Sequence, residues 1–242
     1  YASKMALVTR HWSGKHRRVV QGINLISLVW TDGDARLPCD FRIYNKAHDG
    51  LSKNDHFQHM IQAAYQRGFE PHLVAFDSWY SGLDNLKLLR QLAWPWLTQL
   101  KSNRQVSVDR TGNRAISDIL IPPHGRVVHL KGYGWIKVFK SAGTNDSFEY
   151  WATSVLDMTL ETCAFHALDA WQVEVYHRGL KQFTGIERGQ FRLEVSQRNH
   201  IGLAIRAFVR LEAHRLHTGT SWFQSKAQII RDAIRAYLAQ PL

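Results

Sequence analysis

The sequence has few cysteines and no long apolar run, and both shortages narrow the possible functions. Cys39 and Cys163 are the only cysteines among 242 residues, which excludes a disulfide framework and a cysteine-based zinc cluster. No apolar run approaches the roughly 18 residues of a membrane span, and no signal-peptide pattern occurs. The thirteen histidines form no His-Glu-x-x-His zinc pattern. We therefore expect a protein of a reducing, cytoplasmic setting without a membrane partner.

Positive charge is what the sequence has in excess. Lysine and arginine number 31 against 20 aspartate and glutamate residues, a net charge of +11. Such an excess suits a polyanionic partner, and nine tryptophans and eight tyrosines offer faces on which bases can stack. Hydrophobic residues make up 45% of the chain, enough for a sizeable core. The composition favours a globular, nucleic-acid-binding protein.

Four charged residues point to chemistry on a phosphodiester. On an α-helix, Glu174, Arg178 and Lys181 share one face because they stand at i, i+4 and i+7. Asp77 ends the apolar run at 73–76, and open α/β sheets place their sites at the carboxyl ends of strands. Two carboxylates that hold metal, beside cations that hold phosphate, indicate metal-assisted phosphoryl transfer.

Each of these residues also has a plain structural interpretation. Glu174 and Arg178 can be a surface ion pair worth about 0.3–0.5 kcal/mol. Asp77 can form a turn, or Asp77 or Ser78 can cap the helix that starts near Gly82. The combination and order of the residues favour the catalytic interpretation more than any single residue does.

The hydrophobic pattern predicts strands that alternate with helices, which is typical of an α/β fold. Residues 17–30 and 35–45 form a predicted hairpin around a turn at 31–34, and Asn54 or Asp55 caps a helix running to about Arg67. The other predicted elements are a strand ending at Asp77, a helix at 82–93, strands at 96–101, 126–130, 135–140 and 148–153, and helices at 159–183, 199–216 and 221–239.

Four stretches of the chain, taken together, resemble one enzyme family. They are residues 22–25, 53–57, 76–80 and 171–181. Their order and content resemble bacterial insertion-sequence transposases, RNase H-like DDE enzymes, in the group whose acidic helix carries a Tyr-x2-Arg-x3-Glu-x6-Lys signature. The spacing from Glu174 to Lys181 keeps the Glu-x6-Lys part. The resemblance spans nearly the whole chain.

The resemblance implies an α/β fold with an RNase H-like catalytic core, a mixed sheet flanked by helices. The core would comprise residues 1–102 and 148–198. A small β-insertion would occupy residues 103–147, and residues 199–242 would form C-terminal helices. The implied activity is metal-dependent DNA strand cleavage and strand transfer of an insertion sequence.

The resemblance also implies the site and its partners. Asp77 would be the second acid of the triad and Glu174 the third, holding two Mg²⁺ (or Mn²⁺) ions in the intact enzyme. The residues implied to contact DNA are Lys101, Arg104, Trp171, Arg178 and Lys181. The partner would be double-stranded DNA, both element ends and target, bound by a homodimer in the bacterial cytoplasm and associated with the nucleoid.

Two departures from the family pattern qualify the expectation. The signature Tyr and Arg positions fall on Ala167 and Ala170, so that part of the phosphate grip is absent or supplied elsewhere, with His166 as a weak substitute. The first acid belongs to a strand before residues 17–30, but residues 1–9 contain no acid. We expect this acid to lie upstream of Tyr1, so that these residues are a fragment, folded but inactive.

Three nearby aspartates are the only stand-ins for the first acid. Asp32, Asp34 and Asp40 fall in the predicted turn and in the strand after it, where turn chemistry and alternation fix their places. Two other functions stay open: a non-catalytic DNA-binding relic of a transposase, and a monomeric RNase H-like nuclease.

Overall fold

The computed structural model describes residues 5–13, 17–143 and 147–240. Small parts of the predicted regions lie outside the described residues, namely 1–4 and 14–16 of the core, 144–146 of the insertion and 241–242 of the C-terminal segment. The elements are β1 (Thr9–Ser13), β2 (Arg18–Gly22), β3 (Asn24–Thr31), β4 (Arg36–Tyr44), α1 (Lys46–Asp49), α2 (Lys53–Gln66), β5 (Val74–Phe76), α3 (Leu83–Gln91), β6 (Trp96–Leu100), β7 (Gln105–Ser107), β8 (Arg114–Ala115), β9 (Arg126–Leu130), β10 (Gly134–Ala142), β11 (Phe148–Thr153), α4 (Leu160–Ala170), α5 (Gln172–Gly179), α6 (Glu194–Thr218) and α7 (Trp222–Ala239).

The chain forms two compact units. We call residues 51–171 the sheet unit, and residues 1–50 together with 172–242 the hairpin unit. Asp77 belongs to the sheet unit and Glu174 to the hairpin unit. The domain boundaries expected from the sequence stay a prediction.

The sheet unit contains a seven-stranded mixed sheet in the order β5-β6-β11-β10-β9-β7-β8. β5 and β6 are parallel, with Phe76 opposite Thr98, and the other pairs are antiparallel. Helix α4 packs on this sheet through a core of Leu97, Phe139, Met158 and Cys163. The predicted α/β class with a mixed sheet flanked by helices is confirmed.

The strands of the predicted insertion continue the main sheet. β10 pairs with β11 from Lys137↔Thr153 to Ala142↔Phe148, and β9 and β7 extend the sheet further. At the opposite end, β5 pairs only with β6 among the described strands. The strand that precedes Asp77 is therefore an edge strand.

The hairpin unit is built around the predicted hairpin. β3 and β4 pair antiparallel from Asn24↔Tyr44 to Thr31↔Arg36, and β1 pairs with β2 in a second two-stranded sheet. Helices α5 and α6 cover the β3–β4 hairpin, so that a core forms in this unit. Its buried members are Leu7, Ile43, Tyr176, Leu180, Ile201, Ile205 and Phe208.

The prediction of one continuous helix at 159–183 is wrong. α4 ends at Ala170 and α5 begins at Gln172, so the helix is interrupted at Trp171. α5 in turn ends at Gly179 and continues as a π-helical turn over Leu180–Thr184. No proline stands at the interruption or at the start of the π-helical turn, and apolar residues recur throughout the segment. The sequence pattern therefore predicts a single helix across both places.

The cap of α2 is also corrected. Ser52, rather than Asn54 or Asp55, is the N-cap, and its hydroxyl accepts a hydrogen bond from the backbone N–H of Asp55. The Asp55 carboxylate accepts from the Ser52 N–H in return at 2.7 Å, which completes a capping box. The predicted inward face is confirmed, because Phe57, Met60, Ile61 and Ala64 are buried.

No helix in the described part of the chain is long and apolar enough to cross a bilayer.

Candidate active site

Asp77 lies exposed directly after β5 and caps a short 3₁₀ turn at Ser78–Tyr80. Its Oδ1 accepts hydrogen bonds from the Trp79 N–H at 2.8 Å and from the Ser78 hydroxyl at 3.1 Å. The carboxylate is therefore both a turn cap and a strand-end acid. These two bonds use one oxygen, and Oδ2 stands outside them.

Neighbouring side chains are close enough to Asp77 to sense its charge. Burial and, to a smaller extent, the Asp77 charge together raise the pKa of the Tyr80 hydroxyl to about 12. Burial lowers the pKa of the Lys53 amine, and Asp77 partly offsets that effect. In both side chains burial is the larger cause of the pKa shift, and the Asp77 charge is the smaller one.

The loop after Asp77 is fastened to the rest of the sheet unit. The amide of Asn85, which is almost fully buried, donates to the Tyr80 carbonyl at 2.9 Å. The Arg104 guanidinium donates to the Ser81 carbonyl at 3.0 Å, and burial lowers its pKa. Arg104, expected to line a DNA track, thus supports the Asp77 loop, while Lys101 is exposed.

On α5, Glu174 and Arg178 are both exposed. Within the described residues they form no ion pair with each other, so the plain surface-pair interpretation is not realised. Glu174 raises the pKa of neighbouring His177, but burial, the larger effect, lowers it. The imidazole of His177 also lies 3.0 Å from the Ser27 hydroxyl on β3, which holds this end of α5 to the hairpin.

Lys181 lies outside the α-helix that carries Glu174. It is in the π-helical turn after α5, where hydrogen bonds span five residues instead of four, and the sharing of one face with Glu174 stays a prediction. Its amine pairs with Glu187 at 2.9 Å, and both side chains are more than half exposed. Such a pair contributes little to stability, about 0–1 kcal/mol.

The packing of α5 depends on Gly179. A Cβ at this position would lie 2.6 Å from a ring carbon of Phe208 on α6 and 3.0 Å from Trp222 on α7. Tyr176, fully buried, meets the Phe208 ring edge-on at 4.9 Å. Close backbone approach at Gly179 therefore fixes the helix that carries Glu174 and Arg178.

The three stand-in aspartates all have structural partners. Oδ1 of Asp32 accepts the N–H groups of Asp34 and Ala35, and these bonds lower its pKa. Asp34 pairs with Arg215 at 2.8 Å. Asp40 pairs with Arg42 at 2.9 Å. They hold the hairpin, as their expected places in a turn and strand suggested.

Two residues next to the signature positions Ala167 and Ala170 are described by the structure. His166 lies 3.3 Å from Asp169 on the same helix, so the weak substitute for the phosphate grip has an acidic neighbour. Trp171, at the C-cap of α4, is exposed. Because Asp77 and Glu174 belong to different units, the convergence of their carboxylates stays a prediction.

A family model described as "Transposase DDE domain" matches residues 8–210. The chain belongs to this family. The match covers most of the chain and includes the positions of both predicted acids. A comparison with curated proteins found no match.

The membership confirms the expected DDE transposase of the insertion-sequence type. The mixed seven-stranded sheet with its helices is the α/β, RNase H-like core of such an enzyme. Transposases of this family are, in general, metal-dependent phosphoryl-transfer enzymes that act on DNA and use divalent metal ions.

The donor chemistry of the two acids fits such an ion. Mg²⁺ prefers hard oxygen ligands, and Asp77 and Glu174 are exposed carboxylates, with one oxygen of Asp77 outside its cap bonds. Nowhere in the described ranges do three or more His, Cys, Asp or Glu residues gather in a group that would hold a metal ion.

Sequence reasoning missed Lys53, Trp79 and Tyr80 as neighbours of Asp77. Trp79 and Tyr80 belong to the stretch 76–80 and lie next to the acid in sequence, but no spacing rule assigns them a role. Lys53 precedes Asp77 by 24 positions, so only the tertiary fold brings it near.

Proposed function

We propose that this DDE transposase domain cleaves a DNA strand and transfers it to target DNA, with Asp77 and Glu174 as its metal-holding carboxylates. The family match over residues 8–210, which includes both positions, carries the proposal. The place of Asp77 after a strand parallel to its neighbour supports it, because ligands of open α/β sheets bind at the carboxyl ends of strands.

The chain's own residues would hold the ions and the DNA. Divalent ions bound by the two carboxylates would supply activation of the attacking oxygen and stabilisation of the leaving 3′-oxygen. Arg178, exposed and without an ion pair to Glu174, is available to hold a DNA phosphate. Lys101 and Trp171, both exposed, would extend the contact along the DNA.

The proposal includes a homodimer on two DNA ends and a catalytic site completed by a further acid. Residues 1–242 by themselves are expected to bind DNA and not to cleave it. The assay is Mg²⁺-dependent nicking by this chain beside a version extended upstream of Tyr1. Cleavage by the extended version alone supports the proposal.

The other outcomes of the nicking assay decide between the alternatives. DNA binding without cleavage by either chain would favour the non-catalytic relic. Robust cleavage by residues 1–242 that Asp77→Ala abolishes would show that an acid within them, such as Asp32 or Asp40, completes the site. Cleavage by a single chain on one DNA end would favour the RNase H-like nuclease.

DNA affinity should fall steeply with salt, and two side chains should account for part of that fall. Arg178→Ala and Lys181→Ala are each expected to reduce the slope of log affinity against log salt by about one, if each side chain neutralises one phosphate. Fluorescence anisotropy with duplex DNA at several salt concentrations measures the slope. The control is Arg206→Ala, an exposed arginine on α6.

The ion pair of Lys181 gives this prediction a second test. Because Lys181 pairs with Glu187, Glu187→Gln should strengthen DNA binding by freeing the amine, and Lys181→Ala should remove that gain. An unchanged slope in Lys181→Ala would leave Lys181 as a surface ion-pair residue only.

A further inference from the structure

Trp79 is unusually exposed for its place in the fold. It stands two residues after Asp77, in the 3₁₀ turn, and 61% of its surface is accessible. Tryptophan is highly buried in most proteins, so a large exposed indole beside a site acid calls for a ligand. The neighbouring Tyr80 faces the other way and stacks on Phe57 with ring centroids 5.2 Å apart.

The exposure of Trp79 is not that of a loose loop. The Trp79 N–H is bonded to Asp77 at 2.8 Å, and the Ser81 hydroxyl donates to the Ser78 carbonyl at 2.7 Å. Asn85 and Arg104 hold the carbonyls of Tyr80 and Ser81. These bonds hold the turn that carries the indole in a fixed position. Binding of a ligand to the indole therefore costs little free energy for ordering the loop.

Lys53 completes the arrangement. Its amine lies 5.3 Å from the centroid of the Trp79 ring, and it senses the charge of Asp77. Lys53 is the first residue of α2, where the helix dipole disfavours a cation. A cation at this position costs some helix stability, and a nearby anion offsets that cost.

We infer that Trp79 and Lys53 form a nucleotide-binding corner beside Asp77. An unpaired base stacks on the exposed indole, and Lys53 holds the backbone phosphate of the same nucleotide. This places a DNA strand next to the acid in the sheet unit. The inference rests on the proposed function, because it names how that DNA is held.

Stacking and charge have different signatures, so binding measurements separate the two side chains. Base stacking on an aromatic side chain does not depend on salt, whereas each phosphate contact adds about 0.7 to the slope for a single strand. Paired bases in a blunt duplex do not offer their faces. The effect of Trp79 should therefore appear with single-stranded DNA and nearly vanish with the duplex.

The test uses anisotropy with a labelled oligonucleotide of about 20 nucleotides, longer than one single-strand site, and with its blunt duplex. Trp79→Ala is expected to weaken single-strand binding by about fivefold or more, with an unchanged salt slope. Trp79→Phe should keep most of the affinity. Lys53→Gln should lower the slope by about 0.7.

The matched control is Trp12→Ala, which removes a tryptophan that is 65% exposed in the hairpin unit. Unchanged thermal unfolding midpoints would show that the variants are folded. Two results would contradict the nucleotide-binding corner while leaving the proposed function intact. One is an equal single-strand affinity for Trp79→Ala and Trp12→Ala, and the other is a loss of affinity in Trp79→Ala that is as large on duplex DNA as on single-stranded DNA. Absence of any DNA binding by the unaltered chain would overturn both.

Discussion

In the version extended upstream of Tyr1, Asp77→Asn is expected to lower Mg²⁺-dependent DNA cleavage at least about 100-fold, because changes even to second-layer partners of metal ligands cost 10- to 100-fold. The substitution separates the two roles of the side chain. Asparagine caps as well as aspartate and keeps an oxygen to accept from the Trp79 N–H, but it removes the charge that we propose holds metal. Glu174→Gln is expected to have an effect of the same order.

The measurement is single-turnover cleavage of a labelled element end, together with DNA affinity without metal. Affinity should change little, since the lost groups are anions. Asp84→Asn, which removes an exposed carboxylate from the first turn of α3, is the matched control and should cleave normally. Near-normal cleavage by Asp77→Asn would mean that Asp77 is only a turn cap.

Glu212→Ala is expected to destabilise the hairpin unit by about 3–5 kcal/mol, the cost of breaking a buried ion pair from one side. Glu212 is fully buried. Its carboxylate accepts from the backbone N–H of Arg36, from Nε of Arg215 and from Nε1 of Trp222, each at 2.8 Å. Nη2 of Arg215 donates as well, at 3.1 Å, so removal of the carboxylate leaves four donors without this acceptor. The hydrogen bond to Glu212 is the main reason that the Arg215 pKa is raised.

Urea unfolding measures this effect, with the far-ultraviolet circular dichroism of the helices as the signal. The control is Glu194→Ala, which removes an exposed i, i+4 pair with Arg198 and should cost less than about 1 kcal/mol. Similar losses for the two variants would show that the Glu212 network does not anchor α6 to the hairpin and α7.

Local patterns were sufficient for much of the fold. The strands at 126–130 and 148–153 were predicted with the bounds that the structure has, because turn residues delimit them. The 31–34 turn of the hairpin was likewise readable from its residue types. The start of α2 was also predictable, because Ser52 and Asp55 have the spacing of a capping box. The N-cap itself was predicted at Asn54 or Asp55 instead of Ser52.

Elements that depend on tertiary packing could not be predicted from the sequence. α4 and α5 separate at Trp171 without a breaking residue, and no sequence pattern predicts the π-helical turn that contains Lys181. Its partner Glu187 stands six residues on, a spacing that no helix rule pairs. The same limit applies to the site, where Lys53 and Arg104 approach the Asp77 loop only through the fold of the sheet unit.

Iron-mediated cleavage of the polypeptide tests most directly whether Asp77 and Glu174 share one metal site. Fe²⁺ binds oxygen and nitrogen ligands more tightly than Mn²⁺, and with ascorbate and peroxide it cuts the nearby backbone. In the version extended upstream of Tyr1 we expect cuts close to both 77 and 174, suppressed by excess Mg²⁺ and lost at both places in Asp77→Asn. Cuts near one acid only, or cuts near 174 that persist in Asp77→Asn, would contradict the shared site.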